Sequence, residues 1–312
     1  MTRSRPTQRF AGLAANRLRV ALVVVVAVAV AAFCATAGPA SAATFVTARQ
    51  GNAHYEPRGI AVDANGHVYV GNTDLNQIEK LTANLAYRGD WGRGRLDGPD
   101  GIAVDAHGHV YVADAPNHRI EKFSADGVFL TAWGSRGSGA GQFIDPVDIA
   151  VDAHGHVYVA DRWNNRIQKF SAGGAFLTAW GRYGSGAGEF RHPHGIAVDA
   201  HGHVYVVDTG NHRIQKFSAG GAFLTTWGSE GLGNGQFDIP FGIAVDAHGH
   251  VYVVDFNRDR IQKFSAGGAF LTTWGSQGSG NGEFRGPYRI AVDGHGNVYV
   301  TDRHRVQKFS QP

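Results

Sequence analysis

Pairs of histidines separated by one residue recur along the chain. This spacing puts both rings on one face of an extended strand, where they can chelate a metal ion. The pairs are His107/His109, His154/His156, His201/His203 and His248/His250. Two related segments carry a single histidine, with Asn65 or Asn297 at the other position. Because histidine and asparagine exchange there, and because the first histidine falls in a glycine-containing turn, the pairs are predicted to be structural.

A second pattern places an aspartate five residues before an arginine. Catalytic carboxylates repeated in this way would have no unique substrate position, so ion pairs that fix a loop are predicted instead. The pairs are Asp114/Arg119, Asp161/Arg166, Asp208/Arg213 and Asp255/Arg260. Asp255, Asn257 and Asp259 alternate like the start of a calcium loop, but the required glycine and the distant bidentate glutamate are missing.

Both patterns belong to a unit that is written six times. Its aspartates are separated by 42 residues and then four times by 47, at Asp63, Asp105, Asp152, Asp199, Asp246 and Asp293. This period is in the range of propeller blades. Each full copy contains four short apolar runs separated by turn signals, which is typical of β-strands. Apolar residues on both faces require cover from neighbouring copies. The sequence therefore predicts an all-β, six-bladed β-propeller of four-stranded antiparallel blades.

The two ends of the repeat region predict how the ring closes. The last copy stops at Phe309-Ser310, after its third strand, whereas residues 43–48 resemble the fourth strand at 174–179. Pairing these ends within one blade leaves no exposed inner edge. Residues 43–312 are therefore predicted to form one propeller, closed by an N-terminal strand that pairs with the last blade. The recurring tryptophans are predicted to be packing residues: Trp91, Trp133, Trp180, Trp227 and Trp274.

Residues 1–42 have the pattern of a signal peptide. Five arginines and no acidic residue precede an apolar run, which Ala40-Ser41-Ala42 follows as a cleavage site. The chain has 29 Lys and Arg against 26 Asp and Glu, so removal of this segment changes the formal charge from +3 to −2. A nearly neutral mature protein argues against nucleic-acid binding. Cys34, the one cysteine, lies in the segment. We expect a secreted or cell-surface monomer without a stable membrane span.

The copies differ most just before each first strand. That strand lines the central channel of a propeller, so these residues should converge on one mouth of the channel. The loops between second and third strands should rim the same face. A mixed ring of charged and aromatic groups is typical of a ligand site. The candidate ligand-binding residues are Arg58, Asp100, Asp148, His194, Phe241, Tyr288 and Arg289 at the mouth, with Arg162, Trp163, Phe256 and Arg258 on the rim.

The fourth copy carries a specific family resemblance. It reads Pro193, Gly195 to Asp199, Val204 to Asp208, Asn211 to Phe217, and Phe223 through Trp227-Gly228. This pattern resembles the NHL repeat, of the exported bacterial type, and the resemblance covers the whole predicted mature chain. It implies the six-bladed fold. It leaves function open, because similar propellers include ligase tails that bind RNA or protein, bacterial kinase sensor domains and a zinc-dependent peptide-amidating lyase.

Two functions follow from this resemblance and from the mouth residues. The first is an exported binding or scaffold propeller that recognises a peptide, glycan or partner protein at the mouth, with no cofactor and no catalytic residue. A separate possibility is a purely structural cell-surface or matrix module, whose regular blades act as a spacer. The alternative is a metal-assisted enzyme of one of two kinds. An amidating-lyase-like zinc enzyme would use His194 as a ligand, with Arg58 and Tyr288 as electrostatic and acid/base residues. A lactonase-like hydrolase would use His194 with Asp100 or Asp148 and a calcium ion. Only one of the six equivalent positions is histidine, whereas catalytic zinc usually has three protein ligands.

Overall fold

The structure of the protein is a computed structural model that describes residues 43–52 and 54–311. The predicted signal peptide, residues 1–42, lies outside the described residues. No helix in the described part of the chain is long and apolar enough to cross a membrane. Strands account for nearly all of the regular structure, as predicted.

The strands are short, five to seven residues each. In chain order they are β1 Thr44–Gln50, β2 Pro57–Val62, β3 Val68–Asn72, β4 Gln77–Leu81, β5 Tyr87–Trp91, β6 Pro99–Val104, β7 Val110–Asp114, β8 Arg119–Phe123, β9 Phe129–Trp133, β10 Pro146–Val151, β11 Val157–Asp161, β12 Arg166–Phe170, β13 Phe176–Trp180, β14 Pro193–Val198, β15 Val204–Asp208, β16 Arg213–Phe217, β17 Phe223–Trp227, β18 Pro240–Val245, β19 Val251–Asp255, β20 Arg260–Phe264, β21 Phe270–Trp274, β22 Pro287–Val292, β23 Val298–Asp302 and β24 Arg305–Ser310.

These strands form six four-stranded antiparallel sheets, which are the predicted blades. Blades one to five follow chain order, from β2-β3-β4-β5 to β18-β19-β20-β21. Blade six has the order β1-β24-β23-β22. Thr44 pairs with Ser310 and Gln50 with Arg305, so the N-terminal strand is the outer strand of the last blade. The predicted closure of the ring is confirmed.

The hydrophobic core lies between blades rather than inside one of them. Six buried clusters each combine residues of two neighbouring blades. The repeated tryptophans contribute to this packing, as predicted. Trp133, for example, contacts Tyr111 of its own blade edge-to-face at 6.3 Å and Phe170 of the next blade at 5.9 Å. A single blade would expose both of its apolar faces, so the blades are stable only together.

The turn between the first two strands of a blade is held by its aspartate. In blade two, Asp105 Oδ1 accepts hydrogen bonds from the backbone N–H groups of His107 and His109, both at 2.9 Å. Asp105 Oδ2 accepts from the His109 ring at 2.8 Å and from the Tyr111 hydroxyl at 3.1 Å. Asn297 makes the same two contacts with Asp293 in blade six, at 2.9 and 2.8 Å. The structure thus supports the predicted role of the aspartate and the inner histidine in holding the turn.

The loops between second and third strands lie at the opposite end of each blade, which is the mouth side of the channel. Blades two to five carry a single 3₁₀ turn there, at Ala115–Asn117, Arg162–Asn164, Thr209–Asn211 and Phe256–Arg258. The predicted ion pairs anchor these loops, with Arg166 Nε 2.8 Å from Asp161 and Arg260 Nε 2.9 Å from Asp255. Blade six has only Arg303 and His304 between β23 and β24, so its rim is lower.

Candidate functional site

The position that begins the channel-lining part of each first strand is glycine in four blades. The chains approach so closely there that a Cβ at Gly59 would lie 2.2 Å from the Asp100 carbonyl oxygen, and one at Gly195 would lie 2.3 Å from that of Phe241. Blades three and six carry Asp148 and Arg289 at this position. These blades are opposite each other in a ring of six. The Asp148 and Arg289 side chains meet across the channel, with Arg289 Nε 3.7 Å from Asp148 Oδ1. The other four blades have no side chain at this position.

Arg289 is the centre of a buried polar cluster. Its guanidinium is only 4 % exposed and lies 3.2 Å from Asp100 Oδ1 and 3.7 Å from Asp148 Oδ1. It also donates to the Val147 carbonyl oxygen at 2.6 Å and to His194 Nδ1 at 2.8 Å. Because Nδ1 accepts this bond, the neutral ring carries its proton on Nε2.

That tautomer completes a closed circuit of hydrogen bonds. His194 Nε2 lies 3.4 Å from the Tyr288 hydroxyl oxygen and can donate to it. The Tyr288 hydroxyl donates to Asp100 Oδ2 at 3.3 Å. The other carboxylate oxygen, Asp100 Oδ1, accepts from Arg289 Nη2 at 3.2 Å, which closes the circuit. The remaining carboxylate, Asp148, accepts from the Ile196 backbone N–H at 3.0 Å. Five of the predicted residues, Asp100, Asp148, His194, Tyr288 and Arg289, thus lie together beneath the mouth, where Arg289 Nε faces Asp148 without a hydrogen bond.

Burial controls the protonation of this cluster. Burial raises the pKa of Asp148 to about 6, although Arg289 lowers it, and burial also raises the pKa of Asp100 against Arg289 and Arg58. Burial and the charge of Arg289 hold the pKa of His194 well below its usual range, so the ring is neutral at pH 7. The neutral histidine agrees with its role as acceptor from Arg289.

Aromatic rings and Arg58 form the next layer outward. Phe241 stacks on His194 with ring centroids 4.4 Å apart, and Tyr288 meets Phe241 edge-to-face at 5.2 Å. Arg58 covers the Tyr288 ring at 5.1 Å and is held by Glu56 through bonds of 3.2 and 3.0 Å. Since Arg58, Phe241 and Tyr288 keep part of their surface exposed, this layer is the accessible floor of the mouth.

The four predicted rim residues have different surroundings. Phe256 packs on Phe241 at 4.7 Å and so joins the floor of the mouth. Arg162 and Arg258 are each paired with an acidic residue, with N–O distances of 3.3 and 2.9 Å. Trp163 is 49 % exposed and contacts His192 at 4.6 Å, away from the buried cluster.

A groove runs from the mouth outward over blade six, where the rim is low. Three adjoining clefts of about 480, 700 and 370 Å³ make it up, and Arg285 and Arg303 line all three. We call this the blade-six groove. Its inner end contains Arg58, Tyr288 and Phe256, and its outer end reaches Gln50 and Ser279.

The two arginines of the blade-six groove are exposed and free for a ligand. The nearby carboxylate Asp302 is already paired with Arg305 at 2.7 Å, and within the described residues neither Arg285 nor Arg303 forms an ion pair. Arg303 has a φ of 29°, in a region that non-glycine residues rarely occupy. Such strain concentrates at functional sites. Arg285 was not among the candidate residues, and the shortened loop was the signal that could have indicated this groove.

The mouth residues do not fit a catalytic zinc site. They offer one histidine, both of whose ring nitrogens already have partners, and two carboxylates that face Arg289. A zinc ion there would need three protein ligands and would compete with a fixed guanidinium charge.

Comparison with known proteins supports the fold and the repeat. The family model described as NHL repeat matches residues 96–123, 143–170, 190–217 and 237–264. No curated protein matches the sequence at a significant level.

Solved structures with the same fold have diverse functions. A virginiamycin B lyase from Staphylococcus aureus is 14 % identical and has a TM-score of 0.62, covering 85 % of this chain and 99 % of its own. A gluconolactonase from Xanthomonas campestris is 16 % identical with a TM-score of 0.63, covering 88 % and 99 %. A nidogen/laminin complex is 20 % identical with a TM-score of 0.57, covering 70 % and 80 %. At these identities the likeness concerns the fold alone. The chain therefore contains four matched NHL repeats and folds as a six-bladed β-propeller.

Proposed function

We propose that the protein is an exported binding propeller that recognises an elongated, carboxylate-bearing ligand, such as an acidic peptide segment, a glycan or part of a partner protein. The observation that carries this proposal is the blade-six groove, whose three clefts share two arginines that form no ion pair with any described residue. Guanidinium groups bind carboxylates through paired hydrogen bonds. The aromatic faces of Phe256 and Tyr288 at the inner end supply apolar contact next to these charges.

The buried cluster supports this role by making the floor rigid. Asp148 and Arg289 join opposite blades, and His194 supports the stacked Phe241 ring from below. A preorganised surface loses less conformational entropy when it binds. The groove therefore presents its arginines on a fixed base.

The test uses two acidic probes, hexaglutamate and an oligogalacturonate, with neutral dextran as the negative probe. We expect titration calorimetry to detect the acidic probes only, with at least about tenfold weaker binding in Arg285→Ala and Arg303→Ala, since a charge-assisted pair contributes about 1.5–3 kcal/mol. Arg88→Ala is the matched control, because Arg88 is exposed, forms no ion pair within the described residues and lies outside the groove. Equal loss in the control, or binding of neither acidic probe, would refute the proposal.

A second candidate is a lyase or hydrolase acting at the same mouth. The solved structures of the same fold include a lyase and a gluconolactonase, which favours this alternative as much as the fold favours binding. The polar cluster does not fit catalytic zinc, so any such reaction would depend on Tyr288 and Arg58 at the exposed floor. Hydrolysis of gluconolactone above the buffer rate, lost in Tyr288→Phe, would establish the enzyme.

A further inference from the structure

The turns on the face opposite the mouth leave one histidine nitrogen free in a fixed orientation. In blade two the carboxylate of Asp105 accepts from His109 Nδ1 at 2.8 Å, so the proton is on Nδ1 and the lone pair is on Nε2. Metal-binding histidines commonly have their second nitrogen bonded to a carboxylate in this way, which fixes the ring and raises its basicity. The same contact occurs in blades three, four and five, at 2.9, 2.8 and 2.9 Å.

The second histidine of each pair lies beside the first. His107 is exposed, and its ring centroid is 5.9 Å from that of His109, with the planes tilted by 32°. In blades three, four and five the separations are 6.0, 5.9 and 6.0 Å. In all four blades, one possible ligand atom of the aspartate and one of each histidine lie within 4.8 Å of one another.

We propose that this face carries four equivalent binding sites for a transition-metal ion such as Cu²⁺, Zn²⁺ or Ni²⁺, each made by one histidine pair. Imidazole nitrogens suit these ions, whereas Mg²⁺ and Ca²⁺ prefer oxygen ligands. In each site the aspartate orients the inner histidine, the exposed outer histidine supplies the second nitrogen, and water completes the coordination. The sites are His107/His109, His154/His156, His201/His203 and His248/His250.

Blades one and six provide internal controls. They place Asn65 and Asn297 where the other blades have the outer and the inner histidine, respectively. Asn297 nevertheless keeps the hydrogen bonds that hold the turn. Histidine-to-asparagine substitutions at either position therefore remove a metal ligand while reproducing a turn that the protein already contains.

The experiment is titration of the metal-free protein with CuCl₂ and ZnCl₂, followed by calorimetry and native mass spectrometry. We expect four ions per chain, and copper EPR spectra with two nitrogen ligands per ion. His109→Asn should reduce the number to three. Replacing all four inner histidines, or separately all four outer ones, should remove the four sites.

Two outcomes would overturn the proposal. One is a stoichiometry that His109→Asn leaves unchanged. The other is loss in only one of the two fourfold variants, since a chelating pair needs both rings. Circular dichroism would verify that the variants are folded. If a fourfold variant does not fold, the single substitution His109→Asn decides the question. Arg285→Ala, on the opposite face, should bind the same number of ions, so this test is independent of the groove.

Discussion

At the scale of single residues, the molecule differs from a regular repeat mainly at Asp148 and Arg289. Both occupy a position that is glycine in the other four blades, and each is buried. Burying either charge alone would cost several kcal/mol, so each residue requires the other. The pair joins opposite sides of the ring and sets the hydrogen bonds of His194 and Asp100.

Arg289→Met should therefore destabilise the protein by about 3–5 kcal/mol, because two carboxylates stay buried without their cation. The double variant Asp148→Gly/Arg289→Gly restores the residue of the other blades and should lose about 1–3 kcal/mol less than the sum of its single variants. Urea denaturation measures these free energies. Strictly additive losses would contradict the cross-channel pairing.

Asp148 also predicts a pH dependence of stability. Its pKa in the folded protein is raised to about 6 by burial, above the value of about 3.9 in an unfolded chain. The folded state thus binds more protons between these values, and the contribution of Asp148 to the free energy of unfolding falls as pH rises from about 4 to about 6. Asp148→Asn should remove this decline. The stability difference between wild type and variant, measured across that range, should decrease with pH; a difference that increases would contradict the raised pKa.

At the scale of elements, the six turns show which residues are replaceable. In each turn the aspartate accepts hydrogen bonds from two backbone N–H groups, from a histidine ring or asparagine amide, and from a tyrosine hydroxyl. Histidine and asparagine make equivalent contacts with this aspartate. The aspartate is therefore the indispensable member of the turn, and the neighbouring positions can vary.

This difference is measurable in blade two. His109→Asn should change the free energy of unfolding by less than about 0.5 kcal/mol, because Asn297 already fills this role in blade six. Asp105→Ala should cost at least about 2 kcal/mol, since it removes the acceptor of three partly buried donors, the His109 backbone N–H, the His109 ring and the Tyr111 hydroxyl. Thermal denaturation compares the two variants, and equal effects would contradict this assignment.

The N-terminal strand is the element on which ring closure depends. Arg49 bonds Glu79 of blade one at 3.0 Å, and Phe45 packs on Phe309 with centroids 6.2 Å apart. Deletion of residues 43–50 should lower the free energy of unfolding by about 4 kcal/mol or more, because it exposes the edge of β24 and part of the core. An unchanged melting temperature would refute the topology.

At the scale of the whole molecule, periodicity explains how much the sequence could predict. The Asp/Arg pairs and the packed tryptophans occur in several blades, so each copy strengthens their prediction. The spacing of the six copies predicts blade number and strand order, and the likeness of residues 43–48 to 174–179 predicts ring closure. The circuit around Arg289 joins residues from blades two, three, four and six, and no local pattern predicts which side chains meet across a channel. Arg285 was missed because the candidates came from the mouth positions and from the loops between second and third strands, whereas Arg285 lies in the connection that precedes β22.

The shared core also predicts cooperative unfolding. Phe217 is fully buried in the cluster between blades three and four, and Phe217→Ala should cost about 3–5 kcal/mol. Because each blade is covered by two neighbours, we expect one transition of the whole ring, with hydrogen exchange increasing equally in distant blade one. Early unfolding confined to blades three and four would contradict this expectation.

The pairing of Thr44 with Ser310 has a consequence for how the protein acquires its structure. A ribosome makes β1 before any blade and β24 after all the others, so β1 stays without its partner until synthesis of the repeats is finished. Contacts between such distant parts of a chain form slowly. We therefore expect completion of the ring to be a late kinetic step, during which the unpaired edge of blade six is exposed to other chains.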